Sequence, residues 1–148
     1  MKIEKVLYPT DFSEGSRVAL SYAETLARDY KAGLVLLYVV PDIPAARWYV
    51  PPEAVNRMFD DLEKSAGQEM EKLKSQVSGV KAVEARIAHG TAYEEIIRTA
   101  RDVKADMIVI GTHGRRGVDH LIFGSTAERV VRDAPCPVVT VRIPEHRR

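Results

Sequence analysis

Met107-Ile108-Val109-Ile110-Gly111-Thr112-His113-Gly114 is the stretch that decides the fold. Four apolar residues run without a polar break and stop at a glycine-bearing loop. The loop continues to Gly124-Ser125, where an amphipathic helical pattern opens. An unbroken apolar run of this kind fits a parallel strand covered on both faces. A glycine loop between such a strand and a helix N-terminus is where α/β proteins bind phosphate. Backbone N–H groups point outward there, and the helix dipole favours an anion.

Working outward, the chain alternates strand and helix signals. Val6-Leu7-Tyr8 follows Ile3 and reads as a short first strand ending at Pro9. A helix is predicted from about Glu14 to about Tyr30, with Val18, Ala19, Tyr22, Ala23, Leu26, Ala27 and Tyr30 forming one buried stripe. Ser13 or Asp11 can cap its start. Leu34 to Val40 is a second unbroken apolar run, and a loop follows from Pro41 to Pro52. A long helix is predicted from about Glu53 to about Val77, burying Val55, Met58, Phe59, Leu62, Ala66, Met70, Leu73 and Val77. Ala82 to Ala88 alternates enough for an edge strand. Thr91-Ala92-Tyr93-Glu94 reads as a capping box opening a third helix, with Ile96, Ile97 and Ala100 inward. Ser125-Thr126-Ala127-Glu128 reads as a second box, opening a fourth helix with Val130, Val131 and Ala134 buried. Pro137 to Val141 is the fifth strand. The pattern β-α-β-α-β-α-β-α-β predicts a doubly wound, five-stranded parallel sheet with right-handed crossovers and helices on both faces. Ligands of such sheets sit beyond the carboxyl ends of the strands, where the strand order reverses.

The composition narrows the function classes. Its 148 residues fit one domain, expected to span 1–148. Lys and Arg number 22 against 21 Asp and Glu. That balance gives no electrostatic argument for nucleic acid or an anionic membrane as partner. The basic His146-Arg147-Arg148 reads as a solvated tail. Cys136 is the only cysteine, so no intrachain disulfide forms. Between Pro135 and Pro137 it reads as a small buried hydrophobe rather than a reactive thiol. No apolar stretch reaches membrane-spanning length, and Met1 to Lys5 carries no signal-peptide core. A cytoplasmic protein is expected.

Three segments should meet at the ligand rim: Pro9-Thr10-Asp11, Val39-Val40-Pro41 and the glycine loop. Gly111 and Gly114 permit a tight turn and close approach to a ligand, Gly124 clears space before the helix, and Ser125 and Thr126 offer hydroxyls to a phosphate. The alternative is ordinary strand and helix punctuation. Asp11 either binds ribose hydroxyls or a Mg²⁺ ion, or simply caps the first helix. His113 and His120 are loop structure or pocket wall rather than a base, and His89 is a strand-end residue on the rim. Arg115 and Arg116 pair with phosphate or remain solvated loop charges. Trp48 and Tyr49 pack apolar surface or a dimer contact, with base stacking as the alternative. The chain has no P-loop lysine, no Gly-x-Gly-x-x-Gly after the first strand and no Cys/His cluster.

Gly111-x2-Gly114-x9-Gly124-Ser125 resembles the ATP-binding signature of the universal stress protein family. Val6-Leu7-Tyr8-Pro9-Thr10-Asp11-Phe12-Ser13 resembles the family's opening strand and turn. Ala105 to Arg115 resembles its fourth strand and loop, and Cys136-Pro137-Val138-Val139-Thr140-Val141 its closing strand. The likeness implies a Rossmann-like fold of the adenine nucleotide alpha hydrolase kind, with strand order 3-2-1-4-5. It implies the ATP-binding subclass, possible use of Mg²⁺, and a homodimer through the last strand. Carried over, Pro9, Thr10 and Asp11 line the pocket, and the Val39 backbone meets adenine. Gly111, Thr112, His113, Gly114, Arg115, Arg116 and Gly117 wrap ribose and phosphates, while Gly124, Ser125 and Thr126 hold the phosphate tail. Ala127 offers no hydroxyl. The implied function is a nucleotide-dependent regulator of the stress response. The alternatives are a slow Mg²⁺-dependent ATPase or autophosphorylating protein, and an interaction module with an empty pocket.

Overall fold

The structure is a computed structural model that describes residues 1–42, 49–112 and 124–143. The strands are β1 (Lys5–Thr10), β2 (Gly33–Pro41), β3 (Val83–Gly90), β4 (Met107–Gly111) and β5 (Val138–Val141). The helices among the described residues are α1 (Glu14–Tyr30), α2 (Pro52–Gln76), α3 (Ala92–Asp102) and α4 (Ser125–Asp133). The strands form one parallel sheet in the order β3-β2-β1-β4-β5. Order reverses at β1, whose neighbours are β2 and β4, so the expected ligand rim lies at the ends of these central strands.

Alternation along each central strand divides the core into two layers. Val6 and Tyr8, Leu34 and Leu36, and Met107 and Val109 face one side with Ala19, Ala23 and Ala27 of α1 and Met70 and Leu73 of α2. Leu7, Val35 and Leu37, and Ile108 and Ile110 face the other with Ile96 and Ala100 of α3 and Ala127 and Val130 of α4. This period of two, apolar on both faces, explains why the strands read as continuous apolar runs.

Several expected details are corrected. β1 does not end at Pro9 but continues to Thr10. Lys5 O accepts from Asp106 N, so the odd residues of β1 turn their backbone groups toward β4. The β1–β4 register covers Val6 and Leu7 only. The N–H that Pro9 lacks therefore falls beyond those pairs and costs the β2 ladder nothing. β3 extends to Gly90 and so contains His89, and β5 begins at Val138 rather than Pro137.

The α1 bounds agree with expectation, yet Tyr22 and Tyr30 are exposed. Ala19, Ala23 and Ala27 let the helix lie close on the sheet, and its bulkier flanking residues are left at the border. Leu62 and Val131 are likewise exposed. The 25 residues of α2 span about 37 Å, whereas the eight residues of β3 span about 26 Å. Its N-terminal half therefore outruns the strand it covers. Arg129 sits over the Tyr93 ring of α3 at 4.6 Å, and Asp133 lies in the groove between α3 and α4. Helical spacing puts Val131 on the side of α4 away from α3.

Neither capping box closes. Thr91 is the N-cap of α3 but makes no side-chain cap bond. The N-cap of α4 is Gly124, one residue before the expected Ser125, which falls inside the first turn.

Candidate functional site

The ends of β1, β2 and β4 and the start of α4 meet at one rim. Pro9 and Thr10 close β1, and Asp11 begins the turn into α1. Asp11 Oδ1 accepts from Ser13 N at 2.9 Å, and Ser13 Oγ accepts from Ser16 N at 3.2 Å. Asp11 orders the turn and Ser13 is the cap, so each of the two residues considered for capping has a part in the helix start. Between them Phe12 adopts φ 63°, a left-handed conformation that costs a bulky residue energy. Two contacts hold it. Phe12 N donates to Thr10 Oγ1 at 3.0 Å, and its ring lies 4.8 Å from that of Tyr38.

Beneath this turn lies a hydroxyl cluster that the sequence reading missed. Tyr8, fully buried, donates its phenol proton to Ser16 O, and its oxygen lies 2.9 Å from Ser16 Oγ. Ser16 Oγ donates to Thr10 Oγ1 at 2.8 Å. Burial pushes the Tyr8 phenol above its ordinary pKa, against a lowering by its hydrogen bonds with Ser16 and Thr10. The signal was present in the sequence: a tyrosine in an otherwise aliphatic central strand needs a partner for its hydroxyl.

Val39 lies one step past the end of β1, because Thr10 pairs with Tyr38. Gly33 N donates to Glu4 O while Leu34 N donates to Ala82 O. Odd residues of β2 therefore turn their backbone toward β1. The Val39 carbonyl has no ladder donor on that side, since Phe12 N is committed to Thr10.

At the end of β4, a Cβ on Gly111 would stand 2.9 Å from Gly15 O and 3.1 Å from Gly15 C. Gly111 is required by the close approach of β4 to the start of α1, a packing reason distinct from approach to a ligand. Thr112 is buried, and its N–H donates to Val141 O at 3.0 Å. Gly124 N donates to Thr112 O. This bond ties the residue before α4 to the residue after β4, so Gly124 is brought to the strand end that carries Gly111. With no side chain capping α4, its first-turn N–H groups at Ser125 and Thr126 stand at the rim.

Pro9, Thr10, Asp11, Val39, Gly111, Thr112, Gly124, Ser125 and Thr126 thus share one end of the sheet. His113, Gly114, Arg115, Arg116, Gly117, His120 and Trp48 lie outside the described residues. His89 is not with the site: it is on the outer strand, with Nε2 3.7 Å from Glu63 Oε2. Among the described residues, no group of three or more His, Cys, Asp or Glu is arranged to hold a metal ion. Burial raises the Cys136 thiol pKa, consistent with a packed rather than reactive side chain. Among the described residues, no helix is long and apolar enough to cross a membrane.

Comparison with known proteins agrees with this architecture. The family model described as the universal stress protein family matches residues 2–142. The chain is 35% identical over 145 residues to universal stress protein MJ0531 of Methanocaldococcus jannaschii, covering 96% of this chain and 84% of that protein. It matches the solved structure of MJ0577, from the same organism, with a TM-score of 0.87 at 29% identity, covering 98% of this chain and 99% of that one. A universal stress protein solved in complex with cAMP matches with a TM-score of 0.62 at 25% identity, covering 96% of this chain and 98% of that one. The chain belongs to the universal stress protein family.

Proposed function

We propose that residues 1–148 form one domain that binds ATP at this rim and acts in the cytoplasm as a dimeric, nucleotide-dependent regulator of the stress response. The observation that carries the reading is the junction of Gly124 with Thr112. It sets an uncapped helix N-terminus beside the end of β4 at the point where strand order reverses. The relative solved with cAMP supports an adenine nucleotide as the ligand class.

In this reading the Val39 backbone meets the adenine, and Pro9, Thr10 and Asp11 line the pocket. Gly111, Thr112, His113, Gly114, Arg115, Arg116 and Gly117 surround ribose and phosphates. The amides and hydroxyls of Ser125 and Thr126, with Gly124, receive the phosphate tail. Mg²⁺ would be held mainly by phosphates and water, with the Asp11 carboxylate as a further ligand, which suits an ion that keeps much of its hydration. ATP that binds the ordered rim stabilises it, and a partner can sense the occupied form.

Mass spectrometry of small molecules released by denaturing the purified protein tests the reading beside a Gly114→Glu variant. ATP from the parent and none from the variant is the expected result. Nothing from the parent, with no thermal shift on adding ATP, overturns it.

The dimer would form through β5, a four-residue edge strand. Val131 of α4, on the side away from α3, is 47% exposed and is the apolar side chain placed to extend that edge. A symmetric copy covers an edge isologously. Light scattering at micromolar concentration should give a dimer mass for the parent and a lower mass for Val131→Asp; a monomeric parent counts against it.

A further inference from the structure

We propose that the N-terminal half of α2 is a contact surface for a second copy of this chain, made by two antiparallel α2 helices about a two-fold axis. It is separate from the β5 edge and does not rest on the nucleotide reading. Ala66, Met70 and Leu73 fasten the second half of α2 to the core, whereas between Pro52 and Ser65 only Val55 is buried. Ala54, Arg57, Met58, Asp61 and Leu62 line an open groove of about 520 Å³ on that first half. Their spacing puts them on one helix face. Leu62 is 39% exposed there, and Tyr49 and Val50, just before the helix, are exposed as well. These are three of the seven large hydrophobic residues exposed among the described residues. A lone exposed apolar side chain calls for no partner, but three gathered at one helix end do.

The charges select the partner. Arg57 and Asp61 stand one turn apart on the outer border of the stripe, both exposed, and among the described residues neither has a hydrogen bond or ion pair. With a two-fold axis at Met58, Ala54 meets the partner's Leu62 and Leu62 meets the partner's Ala54, small against large. Arg57 then falls within about 3 Å, along the helix, of the partner's Asp61. The same rotation brings Asp61 to the partner's Arg57, so both charge pairs form at once. A face of about three helical turns is smaller than a stable interface, and association at about 100 µM is expected. Because α2 lies over β2 and β3, this face is at the end of the sheet opposite β5. Two isologous contacts at opposite ends of one sheet join dimers into tetramers or longer rows.

The test is sedimentation velocity of the full chain from about 10 µM to about 500 µM. The parent mass should rise over this range toward twice its value at low concentration. Arg57→Asp and Asp61→Arg each set like charges across the seam, and each should weaken the association about tenfold and hold the low-concentration mass. Both positions are exposed, so neither change threatens folding. Leu62→Glu, which breaks the apolar stripe, should hold the low mass too. Arg57→Asp combined with Asp61→Arg exchanges the charges and should restore the rise. So should a 1:1 mixture of the two single variants, in which one helix carries two acids and the other two bases. In a Val131→Asp background the same doubling should start from that variant's own low-concentration mass, which separates this contact from the β5 edge. A parent whose mass stays flat overturns the proposal and leaves the groove to a protein of another kind. Single charge variants that rise like the parent, or a mixture that does not recover, overturn it as well.

Discussion

Two helices, α1 and α4, begin at the same rim and close their first turns in opposite ways. At α1, Ser13 accepts from Ser16 N and Asp11 accepts from Ser13 N, so the chain's own side chains take the turn's donors. At α4, Gly124 has no side chain to offer, and its N–H turns back to Thr112 O. The first N-terminus is closed by its own turn, while among the described residues no side chain caps the second, the terminus proposed above to receive phosphate. The start of α3 helps fix the meaning of this difference. It too lacks a side-chain cap, but its first turn carries both Glu94 and Glu95, which oppose an anion. The first turn of α4 carries Glu128 alone, paired with Arg132 at 3.1 Å.

The contrast can be broken where the two helices' supports touch. Gly111→Ala sets a methyl group against the Gly15 backbone at 2.9 Å and forces β4 and α1 apart. A destabilisation of about 1–3 kcal/mol is expected, read as a lower urea midpoint with unchanged slope; an unchanged midpoint would mean that the contact gives way freely.

A second change makes α4 resemble α1. Gly124 sits at φ −71°, ψ 165°, an extended conformation open to any residue. Gly124→Asp should cap α4, raise the stability of the free protein by a few tenths of a kcal/mol, and weaken ATP about tenfold, or about 1.4 kcal/mol. Tighter ATP binding in this variant would refute an anion site at that terminus. The smallest expected effect is the reverse edit. Ser13→Ala should cost about 1 kcal/mol of stability and leave ATP affinity within about twofold of the parent. A larger fall in affinity would show that α1 is not a purely structural terminus.

The candidate site was legible in proportion to how far each residue's role was local. Thr10, Asp11, Val39, Gly111 and Gly124 flank strands whose apolar runs mark their own ends, and the structure sets these five at one end of the sheet. Gly111 was read as freedom to approach a ligand or as punctuation; the structure gives it a third role, against a helix 96 positions earlier in the chain at Gly15. The two capping boxes show another limit. Ser/Thr followed by Glu three residues on is compatible with a cap, but which residue takes the extended N-cap conformation depends on where the preceding strand delivers the chain. The Gly124–Thr112 bond moved that point by one residue. His89 was placed beyond β3, whereas full pairing of β3 with β2 keeps it within the strand.

By itself, the sequence determined the alternation of elements, the bounds of α1 and the parallel character of the sheet. All three rest on short-range periodicity: two for a strand covered on both faces, three and four for a helix stripe. It also carried the glycine spacing that points to nucleotide chemistry. Only the tertiary structure decided which apolar residues are buried at the borders, as Tyr22, Leu62 and Val131 show. Only it brought Ser16 under Thr10. Periodicity tells which way a side chain faces on its own element. What meets it there depends on how far the neighbouring element extends, and that is settled by packing between segments distant in the chain.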